Sequence, residues 1–123
     1  MIMHRDTNDN LAQHPIVYEL RQILLNNWDP IGISDIENMA DEYDSYLHDL
    51  LISAESTNTQ IEDYRDELIC IERDFMGLDA DIKQCTQAAI LIHALALKYQ
   101  VWKFNFYRFH FSILFGSNKT AQF

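Results

Sequence analysis

Trp28-Asp29-Pro30-Ile31-Gly32-Ile33-Ser34-Asp35-Ile36-Glu37, and the run that follows it through Asp41-Glu42-Tyr43-Asp44-Ser45-Tyr46 to Ala54, decide the reading of the fold. Pro30 fixes its own φ and steers Asp29 out of the helical region. Gly32 permits a φ that Ile31 would not adopt comfortably. The segment is therefore a turn, and Trp28 can fold back across it to cover a core edge. Ser34-x-x-Glu37 then has the form of a capping box. Ile36, Met39, Ala40, Tyr43, Tyr46, Leu47, Leu50, Leu51 and Ala54 share one wide helical face. The spacing predicts a long amphipathic helix from Ser34 to Ala54, with the Tyr43 and Tyr46 hydroxyls bonded or wet at the core boundary.

Outward from this segment the pattern stays helical. His14-Pro15 suits a helix start, and Ile16, Leu20, Ile23 and Leu24 form a stripe that ends near Asn26. After a polar loop at Ser53–Thr59, Thr57 with Gln60 or Thr59 with Glu62 can cap a third helix. Its stripe is Ile61, Tyr64, Leu68, Ile71 and Phe75, and Gly77 supplies a left-handed stop. Asp79 is placed to cap a fourth helix carrying Ile82, Cys85, Ala89, Ile92, Ala96 and Tyr99. From Val101 the chain turns aromatic. Trp102, Phe104 and Phe106 alternate as in a strand, but Val101, Phe104, Arg108, Phe111 and Phe115 also keep helical spacing. With no breaker before Gly116, a continued or second helix is expected there, packed back on the body. Three glycines and two prolines are too few for the turns of an all-β fold. The predicted architecture is all-α, an antiparallel bundle of about four helices in one domain spanning 1–123. Residues 1–13 form a flexible lead-in, and residues 100–123 form an aromatic C-terminal extension. Cys70 and Cys85 flank the turn at Gly77 symmetrically, so a helical hairpin would bring them to one height as reduced thiols.

Charge is divided along the chain. All nineteen acidic residues lie at or before Asp81. With four basic residues among them, positions 1–81 carry a net charge of −15, while positions 82–123 carry five basic residues, no acidic one, and +5. An acidic body repels nucleic acid phosphate and anionic membrane surfaces, and attracts basic proteins. The polar start shows no secretory signal, and no uncharged apolar run reaches the ~18–20 residues of a membrane helix. A cytoplasmic protein is expected.

The chemistry-bearing residues concentrate on the second predicted helix. Glu37, Asp41, Asp44 and His48 are spaced to share one stripe, with Glu42, Ser45 and Asp49 beside it and no Lys or Arg on that helix. Such a face either is simply solvated or waits for a cation, whether a basic protein or a divalent metal. No Glu-x-x-His or His-x-x-x-His pair supports a metal. His93 lies among apolar residues as a helix histidine. There is no Gly-x-Ser-x-Gly, no glycine-rich phosphate loop and no Cys-x-x-Cys, so no catalytic residue and no cofactor is expected. Trp28, Asp29, Pro30, Gly32, Tyr43, Tyr46 and Gly77 are read as structural. Glu37, Asp41, Glu42, Asp44, His48 and Asp49 are read as the partner-binding set.

Three strings in order, Trp28-Asp29-Pro30-Ile31-Gly32, Asp41-Glu42-Tyr43-Asp44-Ser45-Tyr46 and Ile71-Glu72-Arg73-Asp74-Phe75-Met76-Gly77-Leu78, resemble a family of small bacterial helical proteins. The resemblance covers roughly Pro15 to Leu97. Some members resemble immunity proteins of contact-dependent growth inhibition and related toxin systems. It implies a non-enzymatic inhibitor of a basic, nuclease-type toxin. The aromatic segment after Tyr99 departs from the pattern. A regulatory or adaptor module, and a metal-dependent enzyme built on the carboxylates of the second helix, are the competing readings.

Overall fold

Residues 13–119 are described by the computed structural model, with side chains from 13 to 106; the lead-in at 1–12 lies outside them. Among the described residues there are four α-helices and no strand. The first, α1 (Val17–Ile23), starts just after Pro15 and buries Val17 and Leu20. Its ladder then loosens into a π turn, Leu24–Trp28, closed by the Asp29 N–H donating to the Leu24 carbonyl at 2.8 Å. The wider turn places Leu24, Leu25 and Trp28 all in the core. It ends where Asp29 adopts a left-handed φ of 38° and Pro30 forbids continuation.

The long second helix expected from Ser34 does not form. Residues 33–43 instead make a chain of tight turns, with the N–H groups of Ile36, Met39, Glu42, Asp44 and Tyr46 each donating to the carbonyl three residues earlier. The cause is upstream. The Asp29 carboxylate takes the N–H groups of Ile33 (2.8 Å) and Ser34 (3.2 Å), and the Ser34 N–H is the one that Glu37 would accept in a capping box. Asn38 at φ 70° then interrupts any helical ladder. Ile36 consequently stands 52% exposed rather than on a core face. The helix begins only after a 3₁₀ turn, Asp44–Tyr46, as α2 (Leu47–Glu55), which buries Leu47, Leu50, Leu51 and Ala54 as its spacing predicts.

α3 (Ile61–Cys70) is capped by its own Gln60, whose N–H donates to the Asp63 carboxylate at 2.8 Å. Thr59, one of the expected caps, instead donates its hydroxyl to the Ser53 carbonyl. A second π turn, Ile71–Phe75, follows. Its extra residue shifts the helical phase, so Ile71 is buried while Phe75, expected on the same stripe, is 72% exposed. Gly77 takes a φ of 68°, as its position predicts, and the Leu78 N–H closes the turn on the Glu72 carbonyl at 2.7 Å.

α4 (Ile82–Lys119) is one uninterrupted helix of 38 residues, which settles the aromatic segment as helical. Its start is held by Asp81 rather than Asp79: the Asp81 side chain accepts from the Gln84 N–H and its carbonyl from the Cys85 N–H. Cys85, Ala88, Ala89, Ile92, Ala96 and Tyr99 face the core. The pair α3–α4 is the most extensive helix contact, and α4 also packs on α1 and α2. Small Ala88 and Ala89, fully buried, allow the close approach. Cys85 is buried and Cys70 exposed, and both are free thiols. On either side of Tyr99 two basic side chains reach back to the body, Lys98 to Glu19 at 4.0 Å and Lys103 to Glu55 at 2.6 Å. Trp102 stacks on Tyr99 at 6.0 Å and lines a pocket with Pro15 and Ile16, whereas Val101 and Phe104 stay 61% and 63% exposed.

Candidate functional site

The acidic segment is a loop braced at both ends. At its entry Asp29 is the hub. One carboxylate oxygen accepts the Ile33 N–H and the Tyr43 hydroxyl (2.7 Å), and the other accepts the Ser34 N–H. The Tyr43 oxygen in turn accepts the Ile31 N–H at 3.2 Å. Partial burial pushes the Asp29 carboxyl up, but these donors outweigh it and hold it below its usual range. Tyr43, with its ring buried against Trp28, is pushed well above the usual phenol range by burial and by the neighbouring carboxylate. At the loop's exit Arg21 of α1 clamps Asp44 through two bonds of 2.9 and 2.8 Å. The bonds to Asp44 hold the Arg21 guanidinium above its ordinary range, with the Asp44 and Asp41 charges adding to them.

This geometry redistributes the predicted partner-binding set. Glu37, Asp41 and Glu42 are exposed on the loop. Asp44 is not available in the same way, because it is half-buried and paired with Arg21. His48 and Asp49 are exposed on the first turn of α2. The six do not share one helical stripe, since residues 33–43 are not helical. They form an exposed acidic loop running into the start of a helix. The only cation packed against the loop among the described residues, Arg21, is consumed by Asp44, and a shallow cleft of about 480 Å³ lies between Arg21, Asn38, Ala40, Asp41 and Asp44. Across α2 and α3 the negative charge is also unrelieved: burial, with the Asp49 charge adding, pushes the Glu67 carboxyl above its usual range.

The residues read as structural lie around the same junction. Trp28 is 1% exposed and its indole N–H donates to Glu72 at 2.7 Å. Tyr46 packs edge-on to Trp28 at 6.1 Å. Gly32 has a φ of 67° and turns the chain so that Asp29 can reach Ile33. Sequence reasoning missed Glu72, the buried carboxylate on which the junction depends. It is 3% exposed, and it accepts from Trp28, from the Cys85 thiol at 3.0 Å and from the Asp81 N–H at 3.3 Å. Burial, then the bond to Glu72, pushes the Cys85 thiol up to about 12. The available signal was that a buried indole needs an acceptor. Glu55 was missed as well. It ends α2 and gathers His14 (3.1 Å), Tyr99 (2.7 Å) and Lys103 (2.6 Å). Burial raises its carboxyl, but these three partners win and bring it down to about 2.

Among the described residues no group of three His, Cys, Asp or Glu side chains converges to hold a metal ion. No helix among them is long and apolar enough to cross a membrane. No protein-family model matches the chain, and no curated protein or solved structure matches it.

Proposed function

We propose that this is a non-enzymatic binding protein whose braced acidic loop docks a basic protein, in the manner of immunity proteins that neutralise nuclease-type toxins. One observation carries the reading. Glu37, Asp41 and Glu42 are held exposed on a loop tied down by Asp29–Tyr43 and Arg21–Asp44, with the neighbouring cation already used. A loop fixed before binding loses little conformational entropy on docking. Its field steers a basic surface toward it and rejects an acidic one. Nuclease domains are basic because they grip phosphate, so an acidic cover occludes the site they use. The three sequence strings resemble a family of small bacterial helical proteins, some of whose members resemble immunity proteins, which favours the same choice of partner.

The test is binding to basic nuclease-type toxin domains, with growth rescue on co-expression and association rates measured across salt. Asp41→Lys with Glu42→Lys reverses two exposed charges and leaves both braces intact; Asp44 is avoided because changing it would strand Arg21. The double variant should associate about tenfold more slowly at low salt, with a flatter salt dependence. Wild-type association rates in that variant would place the interface elsewhere. Failure of the wild type to bind or protect against such domains would overturn the reading itself.

A further inference from the structure

α4 carries two apolar faces, and the bundle uses one. Cys85, Ala89, Ile92, Ala96 and Tyr99 point into the core. On the opposite side Ile90, Leu97, Val101 and Phe104 are 47%, 53%, 61% and 63% exposed, and Ala94 is exposed between them. These five positions follow one another at spacings of four, three, four and three residues. The sequence keeps the same alternation through Arg108, Phe111 and Phe115 while the helix continues to Lys119. Eight successive positions at four-three spacing match the heptad spacing of a two-helix coiled-coil seam, with one polar position among them. From Ile90 to Phe115 that seam is roughly 38 Å long at 1.5 Å per residue.

We propose that this outer seam of α4 pairs with the same seam of a second copy of the chain, antiparallel. The charge distribution selects both the partner and the direction. Every charged residue from 82 onward is basic, and the body before it is strongly acidic. A parallel pair would lay one basic extension along the other. An antiparallel pair lays each extension beside the first half of the partner's α4. That half packs between α1 and α3, which carry exposed Glu19, Glu62 and Asp66. Lys98 already lies 4.0 Å from Glu19 within one chain, so α1 brings acid to the edge of this helix. Centred between Val101 and Phe104, the antiparallel register pairs positions 90 with 115, 94 with 111, 97 with 108, and 101 with 104. The smallest seam residue, Ala94, then stands opposite Phe111, and the polar position 108 stands opposite Leu97, one layer out from the central pair. The seam would also cover a run of exposed apolar side chains of a kind soluble monomers rarely leave bare.

The full chain should sediment as a dimer whose dissociation responds to concentration. Leu97→Asp with Phe104→Asp, both exposed and outside the core, should raise the dissociation constant at least a hundredfold while the helical circular dichroism and melting curve stay those of the wild-type subunit. In a Cys70→Ser background, Val101→Cys mixed with Phe104→Cys should give a cross-linked heterodimer under mild oxidation, and Leu97→Cys alone should give little. A wild-type chain that stays monomeric to millimolar concentration overturns the proposal. So does a dimer unaffected by the two aspartates, or efficient cross-linking of Leu97→Cys to itself, which would mean a parallel pair. Flotation of a monomeric wild type with zwitterionic or anionic lipid vesicles, abolished by the same aspartates, would assign the seam to a lipid surface and overturn it equally.

Discussion

Asp29→Ala is the sharpest perturbation of the scaffold. The substitution removes both oxygens on which the loop entry depends, and three effects add. The Tyr43 hydroxyl, on a residue only 2% exposed, loses the acceptor it donates to. An orphaned buried donor costs about 1–3 kcal/mol. The Ile33 and Ser34 N–H groups lose a carboxylate that serves them as a cap serves a helix, worth about 1 kcal/mol. Alanine must also take the φ of 38° that Asp29 occupies, at roughly 1 kcal/mol more than aspartate or asparagine. The total is about 3–5 kcal/mol. For a chain of this size about 1 kcal/mol corresponds to ~4 °C, so the melting temperature should fall by roughly 12–20 °C. Urea denaturation of Asp29→Ala, Asp29→Gly and Asp29→Asn separates the parts. Glycine should recover about 1 kcal/mol over alanine because it accepts the positive φ. Asparagine keeps one oxygen and the backbone preference, and should be the mildest. An Asp29→Ala protein melting within 3 °C of the wild type would refute the hub, and a glycine variant no better than alanine would refute the backbone contribution.

Two further outcomes follow from groups inside the fold. The Tyr64 hydroxyl is buried with no hydrogen-bond partner among the described residues, and burial pushes it up to about 12; Tyr64→Phe should therefore be neutral or stabilising by up to about 1 kcal/mol in urea, and a loss above that would mean the hydroxyl is satisfied. Glu55 has its carboxyl lowered from 4.5 to about 2, so the folded state binds its proton less readily than the unfolded chain. Its contribution is complete above the unfolded value and disappears as pH falls through about 2. Because the side chain is 39% exposed, salt should weaken it. Melting of wild type and Glu55→Gln between pH 7 and pH 2 should converge toward the acid end, and a constant gap would remove the ion pair from the explanation.

The helices were legible where the 3.6-residue period runs undisturbed. Leu47, Leu50, Leu51 and Ala54, and the series from Cys85 to Tyr99, are buried as their spacing says. The turn at Asp29-Pro30 and the stop at Gly77 were readable because proline and glycine restrict or free the backbone locally. Two things were not. A π turn adds a residue to the period without any compositional mark, which is why Phe75 lies off the stripe on which it was counted. The decisive bonds also join distant residues: Asp29 to Tyr43, Arg21 to Asp44, and Trp28 to Glu72 across 44 positions. The apparent capping box at Ser34 was outbid by Asp29, and nothing near Ser34 in the sequence says so. The acidic character of the site survived this change; its shape, a braced loop in place of a helical stripe, came from contacts that no local pattern encodes.

The two thiols differ in a way that makes the molecule its own clock. Cys70 is exposed and its thiol leans on Asp74, whereas Cys85 is sealed beneath Trp28 and bonded to Glu72. An alkylating reagent meets Cys70 at once. It reaches Cys85 only in the moments when α4 lifts from the Trp28–Glu72 junction, and then competes with reclosure. The fast thiol calibrates the reagent, and the slow one counts openings under native conditions. One chain, without an engineered probe, therefore reports how often its core breathes, and whether a bound partner or a second copy slows the breathing.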